Sequence, residues 1–191
     1  MTQMSVSRTA FKEFNRLMIL LWRLGLGPWI NISPEVGGRI MVLTTIGRRS
    51  GLKRRTPVNY APGDGEVYCL AGFGKTADWY RNLLANPEVE VWLPGGRWIG
   101  RAEEVTDPEE RLPLVRQILI NSGFAASAFA GIDPHTISDE SLQEVAADWP
   151  VLRIRLERPL SGPDGPGDLT WVWPTVGIII LVWLWRRWRR D

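Results

Sequence analysis

The segment from Arg39 to Val105 most constrains the fold, because short β-type runs alternate there with turn-forming residues. The runs that we predict as strands are Arg39–Ile46, Lys53–Tyr60, Glu66–Ala71, Val89–Leu93 and Trp98–Val105. Gly47–Gly51, Asp64–Gly65 and Pro94–Gly96 lie at three of the junctions, and such residues favour the tight turns of β-hairpins. Strands joined by turns this short pair in the antiparallel sense. Pro57 places the second run at a sheet edge or a bulge.

Helical patterns flank these strands. In Phe11–Leu26 apolar residues recur every three to four positions, which predicts an amphipathic helix packed on the domain, with a membrane-surface or ligand-covering helix as the alternative. Further helices are predicted over Thr76–Asn86, with Thr76 or Asp78 as the N-cap, over Asp107–Asn121, and from Ser138 onward. Val151–Leu156 alternates as a closing strand. Together these patterns predict the α+β class, with a small antiparallel barrel and flanking helices.

Composition divides the chain into four parts. Its 191 residues suit one globular domain plus an appendage. We predict an N-terminal amphipathic helix in 1–30, the barrel domain in 31–159, a flexible Pro/Gly linker in 160–168 and a Trp-rich hydrophobic tail in 169–191. The polar start of the chain predicts that it carries no secretory signal.

The chain contains one cysteine, Cys69, and one histidine, His135. This excludes an internal disulfide, a multi-thiolate metal centre and a His-rich metal site, so we assign no metal ligand. Cys69 lies inside a predicted strand, which is typical of a small buried hydrophobic residue. His135 lies in a predicted loop and is not placed in the site. We therefore assign no catalytic acid or base.

A basic window without acidic residues extends from residue 36 to residue 63. Its six cations are Arg39, Arg48, Arg49, Lys53, Arg54 and Arg55. The turn Gly47–Gly51 lies at its centre, and its glycines are expected to expose backbone amides to an anion, with Ser50 and arginine side chains as further donors. A solvated hairpin turn and a nucleic-acid surface are the alternatives. The window lacks the interleaved stacking aromatic residues that a nucleic-acid surface would use.

Two strings of residues in this region resemble a known family. Leu43–Gly51 (LTTIGRRSG), followed by Arg54 and Pro57, is similar to the first signature of the deazaflavin-dependent nitroreductase and quinone reductase family. Ala71–Lys75 (AGFGK) and Asp78–Val89 (DWYRNLLANPEV) resemble its second signature. The resemblance extends from residue 39 to residue 159. It implies an antiparallel split β-barrel like that of FMN-binding proteins, with coenzyme F₄₂₀, a 5-deazaflavin hydride carrier with a phosphate and an oligoglutamate tail, as the cofactor.

The resemblance also implies which residues hold the cofactor. Those expected at its phosphate are Arg48, Arg49, Ser50, Gly51 and Arg54, and those expected to line the deazaflavin and its linker are Gly72, Phe73, Gly74 and Lys75. Trp79 and Asn82 match the helix that follows. We expect Trp79 to pack in the core and Asn82 to form a hydrogen bond between the helix and a loop.

The sequence departs from the family pattern in two places. The loop before Trp79 is short, so its pocket wall differs from that of members with a longer loop. After the long helix the nitroreductases carry tyrosines near the substrate, whereas this chain has Ser122–Phe129 (SGFAASAF). Phenyl rings are unable to donate a proton, so Ser122, Ser127 or water would have to donate a hydrogen bond to the acceptor. The reduction of a particular nitro compound is therefore not implied.

These features predict an oxidoreductase that transfers hydride from reduced F₄₂₀ to a lipophilic acceptor, such as a quinone or a nitroaromatic compound. The alternatives are a flavin- or haem-binding relative of the same fold, a non-catalytic carrier of deazaflavin or flavin, and a basic nucleic-acid-binding module. The co-purifying chromophore, turnover with quinones and salt-dependent binding to oligonucleotides would distinguish them.

The segment Leu169–Trp185 has 17 residues without a charge, and arginines follow at positions 186, 187, 189 and 190. As a helix it would be about 25 Å long, close to the short limit for a membrane core of about 30 Å. Tryptophans lie at both of its ends, as in an interfacial aromatic belt. Because the cofactor is cytoplasmic, we expect association with the cytoplasmic face of the cell membrane, as a marginal span or within the inner leaflet. The alternative is a cytoplasmic protein whose tail docks on its own domain or on a second copy in a homodimer.

Overall fold

The computed structural model describes residues 8–33, 37–127 and 131–189. Its helices are α1 (Arg8–Arg23), α2 (Gly27–Ile30), α3 (Asp78–Ala85), α4 (Pro108–Ile120), α5 (Asp139–Val145) and α6 (Val172–Trp188), and residues 124–127 are also helical. Its strands are β1 (Ile40–Ile46), β2 (Lys53–Asn59), β3 (Ala61–Pro62), β4 (Glu66–Leu70), β5 (Glu88–Leu93), β6 (Gly96–Glu104) and β7 (Val151–Pro159). Ala128, Phe129, Arg190 and the first seven residues of the predicted N-terminal part lie outside the described residues.

One antiparallel sheet forms the centre of the molecule. Its strands follow the order β2-β1-β5-β6-β7-β4-β3. The α+β class is therefore confirmed, and the sheet curls as a half-barrel with flanking helices. The prediction of a barrel holds in part, since β2 and β3 are the two edges of the described sheet and do not pair with each other. Pro57 lies in the edge strand β2, as its missing N–H predicted.

Successive side chains of β1 point alternately into two hydrophobic cores, one inside the curl of the sheet and one on its outer face. Met41 and Leu43 point into the curl, where they join buried residues of β4, β5, β6 and β7. Val42 points outward and packs with Trp22 of α1 and Trp92 of β5. The amphipathic helix α1 therefore covers the outer face of the sheet, as predicted.

Three further helices close the core. Helices α4 and α5 cover a second outer cluster through Val115, Ile118 and Leu142, which pack with Val151. Helix α3 belongs instead to the inner core, to which it contributes Tyr80 and Leu83. The short helix α3 thus lies against the concave side of the sheet.

Residues 160–168, the segment predicted to be a flexible linker, are held against the domain, and we call them the strap. The Arg97 Nη1 donates to the Pro163 carbonyl at 2.8 Å, and the Arg55 Nη2 donates to the Asp164 carbonyl at 3.2 Å. The Arg23 guanidinium contacts both carboxylate oxygens of Asp168, with Nε–Oδ1 at 3.0 Å and Nη2–Oδ2 at 2.8 Å. Three arginines therefore fix a segment that its Pro and Gly content alone would leave free.

The first turn of helix α6 is bound to the domain, and the rest of the helix extends away from it. The Trp173 Nε1 donates to the Leu24 carbonyl at 3.0 Å, next to the end of α1. From residue 178 to residue 189 every residue is exposed. Among the described residues, no helix is both long enough and apolar enough to cross a membrane. The expectation of a marginal membrane span is therefore not met by α6.

Cys69 is fully buried in β4, as predicted for a small hydrophobic residue. Burial raises the pKa of its thiol to about 12. Because the thiolate is the reactive form, we expect no labelling of the native protein by a thiol reagent at about pH 8. Rapid labelling of native protein would contradict this burial, and the same protein unfolded in guanidinium is the positive control.

Candidate functional site

The basic turn between β1 and β2 closes on itself. The Gly47 N–H donates to the Leu52 carbonyl at 2.9 Å, and the Gly51 N–H donates to the Gly47 carbonyl at 2.8 Å. Gly51 has a φ of +67°, and a Cβ on Gly47 would lie 2.8 Å from the Ser50 Oγ. Side chains at either position would strain this turn, so its shape requires both glycines of the motif.

We expected this turn to present its backbone amides to an anion, and for four of its five amides that expectation is wrong. The N–H groups of Gly47, Ser50 and Gly51 all donate to carbonyls of the turn itself. The Arg48 N–H donates to the Asn82 Oδ1 at 3.1 Å. The cause is the tight closure of the hairpin, which uses these amides internally. An anion at this turn would therefore be held chiefly by side chains.

Strand alternation separates the two neighbouring arginines of β2. Arg54 is opposite Thr45 in the register of β1 and β2, and Arg55 is opposite Thr44. Residues opposite each other on antiparallel strands lie on the same side of the sheet, so Arg54 shares the inner side with Thr45. The Arg55 guanidinium lies on the outer side, 4.8 Å from the centre of the Trp92 ring. Of the two, only Arg54 lies on the side where the turn meets α3.

Two other cations of the basic window have partners away from the turn. The Arg39 Nε donates to the Asn121 Oδ1 at 2.9 Å. The Lys53 Nζ lies 4.0 Å from a carboxylate oxygen of the buried Glu90 on the outer face. The cations left at the turn are thus Arg48, Arg49 and Arg54, of which the last two are exposed.

The loop Gly72–Lys75 leaves β4 and leads into α3. Its Gly74 N–H donates to the Ala71 carbonyl at 2.7 Å, and a 3-10 turn follows over Gly74–Thr76. Phe73 and Lys75 are exposed. The Arg81 Nε donates to the Lys75 carbonyl at 2.8 Å, which ties this loop to α3.

Helix α3 also contacts the basic turn, and so it connects the two predicted cofactor loops. The Arg48 Nη1 lies 2.9 Å from the Asp78 Oδ1 and 3.1 Å from the Asn82 Oδ1. Arg48 is therefore bound to α3, whereas Arg49 and Arg54 are exposed. We call the assembly of Gly47–Gly51, Arg54 and Gly72–Lys75 the two-loop site. The predicted hydrogen bond between Asn82 and a loop is confirmed.

Sequence reasoning missed two residues that organise this site. Asp78 and Arg81 were not among the predicted site residues, yet each contacts one of the loops. Together with Asn82 they have i, i+3 and i+4 spacing, which places them on one face of α3. That polar face, on a short helix directly after the second glycine-containing loop, was the signal available in the sequence.

The start of α3 also differs from expectation. Its N-cap is Ala77, and no side chain caps the helix. The Thr76 Oγ1 donates instead to the Phe73 carbonyl at 2.8 Å. The Asp78 carboxylate pairs with Arg48. Both predicted capping groups are therefore used to shape the two-loop site.

The inner core fixes α3 in place. Tyr80 is buried, and its Oη donates to the Glu104 Oε2 on β6 at 2.7 Å. Burial, together with this contact, raises the pKa of Tyr80 to about 12, so the phenol stays protonated at neutral pH. Trp79 is partly buried and packs against the inner core, as predicted.

The segment after α4 does not supply the predicted hydrogen-bond donors in a free form. Ser122 is buried, and its Oγ donates to the Ile118 carbonyl at 2.8 Å. The Ser127 Oγ donates to the Phe124 carbonyl at 3.0 Å. The Ser122 hydroxyl thus closes the end of α4, where backbone carbonyls lack helical partners, and the Ser127 hydroxyl bonds within the helical segment 124–127.

His135 lies in an exposed loop, where its backbone N–H donates to the Asp133 Oδ1 at 3.0 Å. We expect His135→Ala to leave kcat and KM within about two-fold of the wild-type values, since the side chain contacts no part of the two-loop site. Steady-state kinetics on the folded variant check this. A folded but inactive His135→Ala protein would place a catalytic group outside the site described here.

Exposed apolar side chains occur in the second loop of the two-loop site, directly after its basic turn, and on the helix that contacts both loops. Leu52 follows the basic turn, Phe73 lies in the second loop and Leu84 lies on α3. Large exposed apolar residues at a polar, cationic site are typical of surfaces that bind a ligand with an apolar part. The site therefore combines cations with apolar surface.

The model of one protein family matches residues 31–126, and its description is F420H(2)-dependent quinone reductase. Among solved structures, an F420-H2 dependent reductase is 25% identical, over 60% of this chain and 92% of that chain, with a TM-score of 0.42. A conserved hypothetical protein of Mycobacterium tuberculosis is 21% identical, over 70% and 79% of the two chains, with a TM-score of 0.48. The haem storage protein HutZ of Vibrio cholerae is 14% identical, over 73% and 94%, with a TM-score of 0.47.

These three TM-scores lie below 0.5, so the assignment rests on the family match. That match covers half of the chain and contains both loops of the two-loop site. The match therefore assigns one cofactor, F₄₂₀, to the family whose motifs form this site. The chain belongs to the F420H(2)-dependent quinone reductase family and is an F₄₂₀-dependent oxidoreductase.

Proposed function

We propose that the two-loop site binds F₄₂₀, with the anionic part of the cofactor at Arg49, Ser50 and Arg54 and the deazaflavin against Gly72–Lys75. The contact of both loops with α3 carries this proposal, because it brings the two family motifs into one assembly. Arg48 and Gly51 shape the turn in this arrangement. The exposed arginine forks of Arg49 and Arg54 suit a phosphate, for which the guanidinium group is geometrically matched.

The open surface at the turn supports the fit of a bulky anion. A Cβ on Gly51 would meet no heavy atom within 4 Å. Arg54 lies on the same side of the sheet as the contact between the turn and α3, whereas Arg55 is stacked on the opposite side. The cofactor's anionic part would therefore approach from the concave side of the sheet, next to the loop that is expected to line the deazaflavin.

We further propose that the acceptor is a lipophilic compound, a quinone or a nitroaromatic. Reduced F₄₂₀, when bound, supplies a hydride. The chain's own contribution is to bind and orient the reactants, a role for which Leu52, Phe73 and Leu84 offer apolar surface. We assign no residue the transfer of a proton, and solvent at this exposed site would supply it.

The test is a turnover assay with purified full-length protein and reduced F₄₂₀. We expect oxidation of F₄₂₀ with short-chain quinones or nitroaromatic compounds, and no comparable turnover with reduced FMN. Tight binding of F₄₂₀ without turnover across a panel of acceptors would favour a carrier instead. Absence of F₄₂₀ binding would contradict the proposed site.

We also propose that the protein associates with the cytoplasmic face of the cell membrane through residues 169–185, with α6 embedded in one leaflet. The eight consecutive residues 178–185 are all apolar and exposed. Successive residues of a helix are about 100° apart, so these side chains cover its whole circumference. A second copy of the chain would cover one side of such a helix, whereas lipid would surround it.

The charge at the end of α6 supports the same proposal. Arg186, Arg187 and Arg189 follow the apolar part. Two of them lie over indole rings, Arg187 at 5.7 Å from the Trp183 centroid and Arg189 at 3.9 Å from that of Trp185. Tryptophan and arginine together are favoured at a membrane interface with anionic headgroups. A homodimer formed through α6 is the competing proposal.

A further inference from the structure

Asn82 has an unusual position among the polar residues near the two-loop site, because it is only 4% exposed and all of its side-chain hydrogen bonds connect separate elements. Its Oδ1 accepts from both the backbone N–H and the Nη1 of Arg48, at 3.1 Å each. Its Nδ2 donates to the Oγ1 of the buried Thr45 at 3.3 Å. One amide group thus joins α3, the end of β1 and the basic turn.

The neighbouring residue Arg81 performs the corresponding task for the other loop. Its Nε donates to the Lys75 carbonyl at 2.8 Å, while its side chain stays exposed. Arg81 and Asn82 are adjacent on a helix that the inner core holds through Tyr80 and Leu83. The spacing between the two loops is therefore set by one rigid helix turn.

We propose that Asn82 is a positioning residue for the cofactor: it fixes the anion-binding turn at the distance from the deazaflavin loop that one cofactor molecule requires. This inference rests on the proposed function of the two-loop site. Asn82 itself is buried beneath Arg48 and acts through it. Arg49, Ser50 and Arg54 remain the groups that contact the anion.

A buried amide suits this role because its donors and acceptor have fixed directions. Removing it in Asn82→Ala leaves the Arg48 N–H and the Thr45 hydroxyl without their partner, and the turn is then free to shift against α3. The deazaflavin loop keeps its own contact through Arg81. The substitution should therefore impair the anionic end of the cofactor site and spare the ring end.

The experiment uses fluorescence titration of the full chain with two probes, F₄₂₀ and a deazaflavin that lacks the phosphate and the tail. For Asn82→Ala we expect the Kd of F₄₂₀ to rise about ten-fold or more, and that of the phosphate-free deazaflavin to change less than about two-fold. The KM of the acceptor should stay unchanged. Asn86→Ala is the matched control, since Asn86 ends the same helix and accepts only from the Glu88 N–H.

The companion variant Arg81→Ala should instead weaken the binding of both probes, because it releases the ring end and both probes contain the deazaflavin ring. If Asn82→Ala fails to fold, Asn82→Ser replaces it, since serine keeps a polar group at this buried position but is too short to hold both Arg48 donors. Equal losses for both probes, or no loss for F₄₂₀, would overturn the positioning role. If Arg54→Ala also leaves F₄₂₀ affinity unchanged, the proposed site itself is wrong, whereas sensitivity to Arg54 alone rejects only the inference on Asn82.

Discussion

Arg54→Ala is expected to weaken F₄₂₀ binding by about ten-fold to a hundred-fold, because a hydrogen bond to a charged group contributes about 1.5–3 kcal/mol. Arg54 is exposed on the inner side of β2, next to the turn and without the ring contact that holds Arg55. The Kd from fluorescence titration measures the effect. The loss should shrink as ionic strength rises, since salt screens exposed charges.

Arg55→Ala is the matched control for this experiment. It removes the same side chain from the next position of the same strand, but on the outer side, over Trp92. We expect it to lower the stability of the fold and to leave the cofactor Kd of the folded protein unchanged. A folded Arg49→Ala, Arg54→Ala double variant that retains wild-type affinity would show that the anion binds elsewhere.

Leu181→Asp in the full chain is expected to reduce partitioning onto anionic phospholipid vesicles about ten-fold or more, because a carboxylate deep in a membrane costs about 3 kcal/mol relative to leucine. Leu181 is among the most exposed residues of α6 and contributes nothing to the core of the domain. The fold should therefore survive the change. Co-sedimentation with vesicles measures the bound fraction.

Leu84→Asp is the control for the tail, since Leu84 is exposed to a similar degree but lies on α3. It should leave vesicle binding unchanged. Equal recovery of all three proteins in the soluble fraction, with and without vesicles, would reject the membrane proposal. A dimer of the wild-type chain in solution that Leu181→Asp converts to a monomer would assign α6 to a second copy instead.

Local sequence chemistry predicted the elements that form the site. The glycines of the basic turn and the β-type runs beside it placed β1 and β2 within one residue of their observed bounds. The observed register of β1 and β2 adds that Arg54 and Arg55 lie on opposite sides of the sheet. The turn and the strands follow from neighbours in the chain, so a pattern in the sequence is enough to reveal them.

The partners of Arg48 were not predictable in this way. Arg48 and Asn82 are 34 positions apart. Neither motif indicates that the side-chain amide of Asn82 binds the backbone N–H of Arg48. The strap was missed for a related reason. Its proline and glycine content predicts the flexibility of an isolated segment. In the folded domain Arg23, Arg55 and Arg97 bind this segment and restrict that flexibility.

The strap also has a consequence for the order in which the chain matures. The carbonyls of Trp22 and Arg23 accept from the N–H groups of Gly167 and Leu169, at 2.9 Å each, so the end of the first helix pairs with a segment that is synthesised long after it. During synthesis these contacts have to wait until residues 167–169 have left the ribosome. Premature termination before the strap would therefore leave the first helix incompletely docked, with the charge of Arg23 uncompensated and Trp22 less shielded. The strap thus completes the docking of α1 late in folding. A product truncated before the strap would lack these contacts and expose the end of α1.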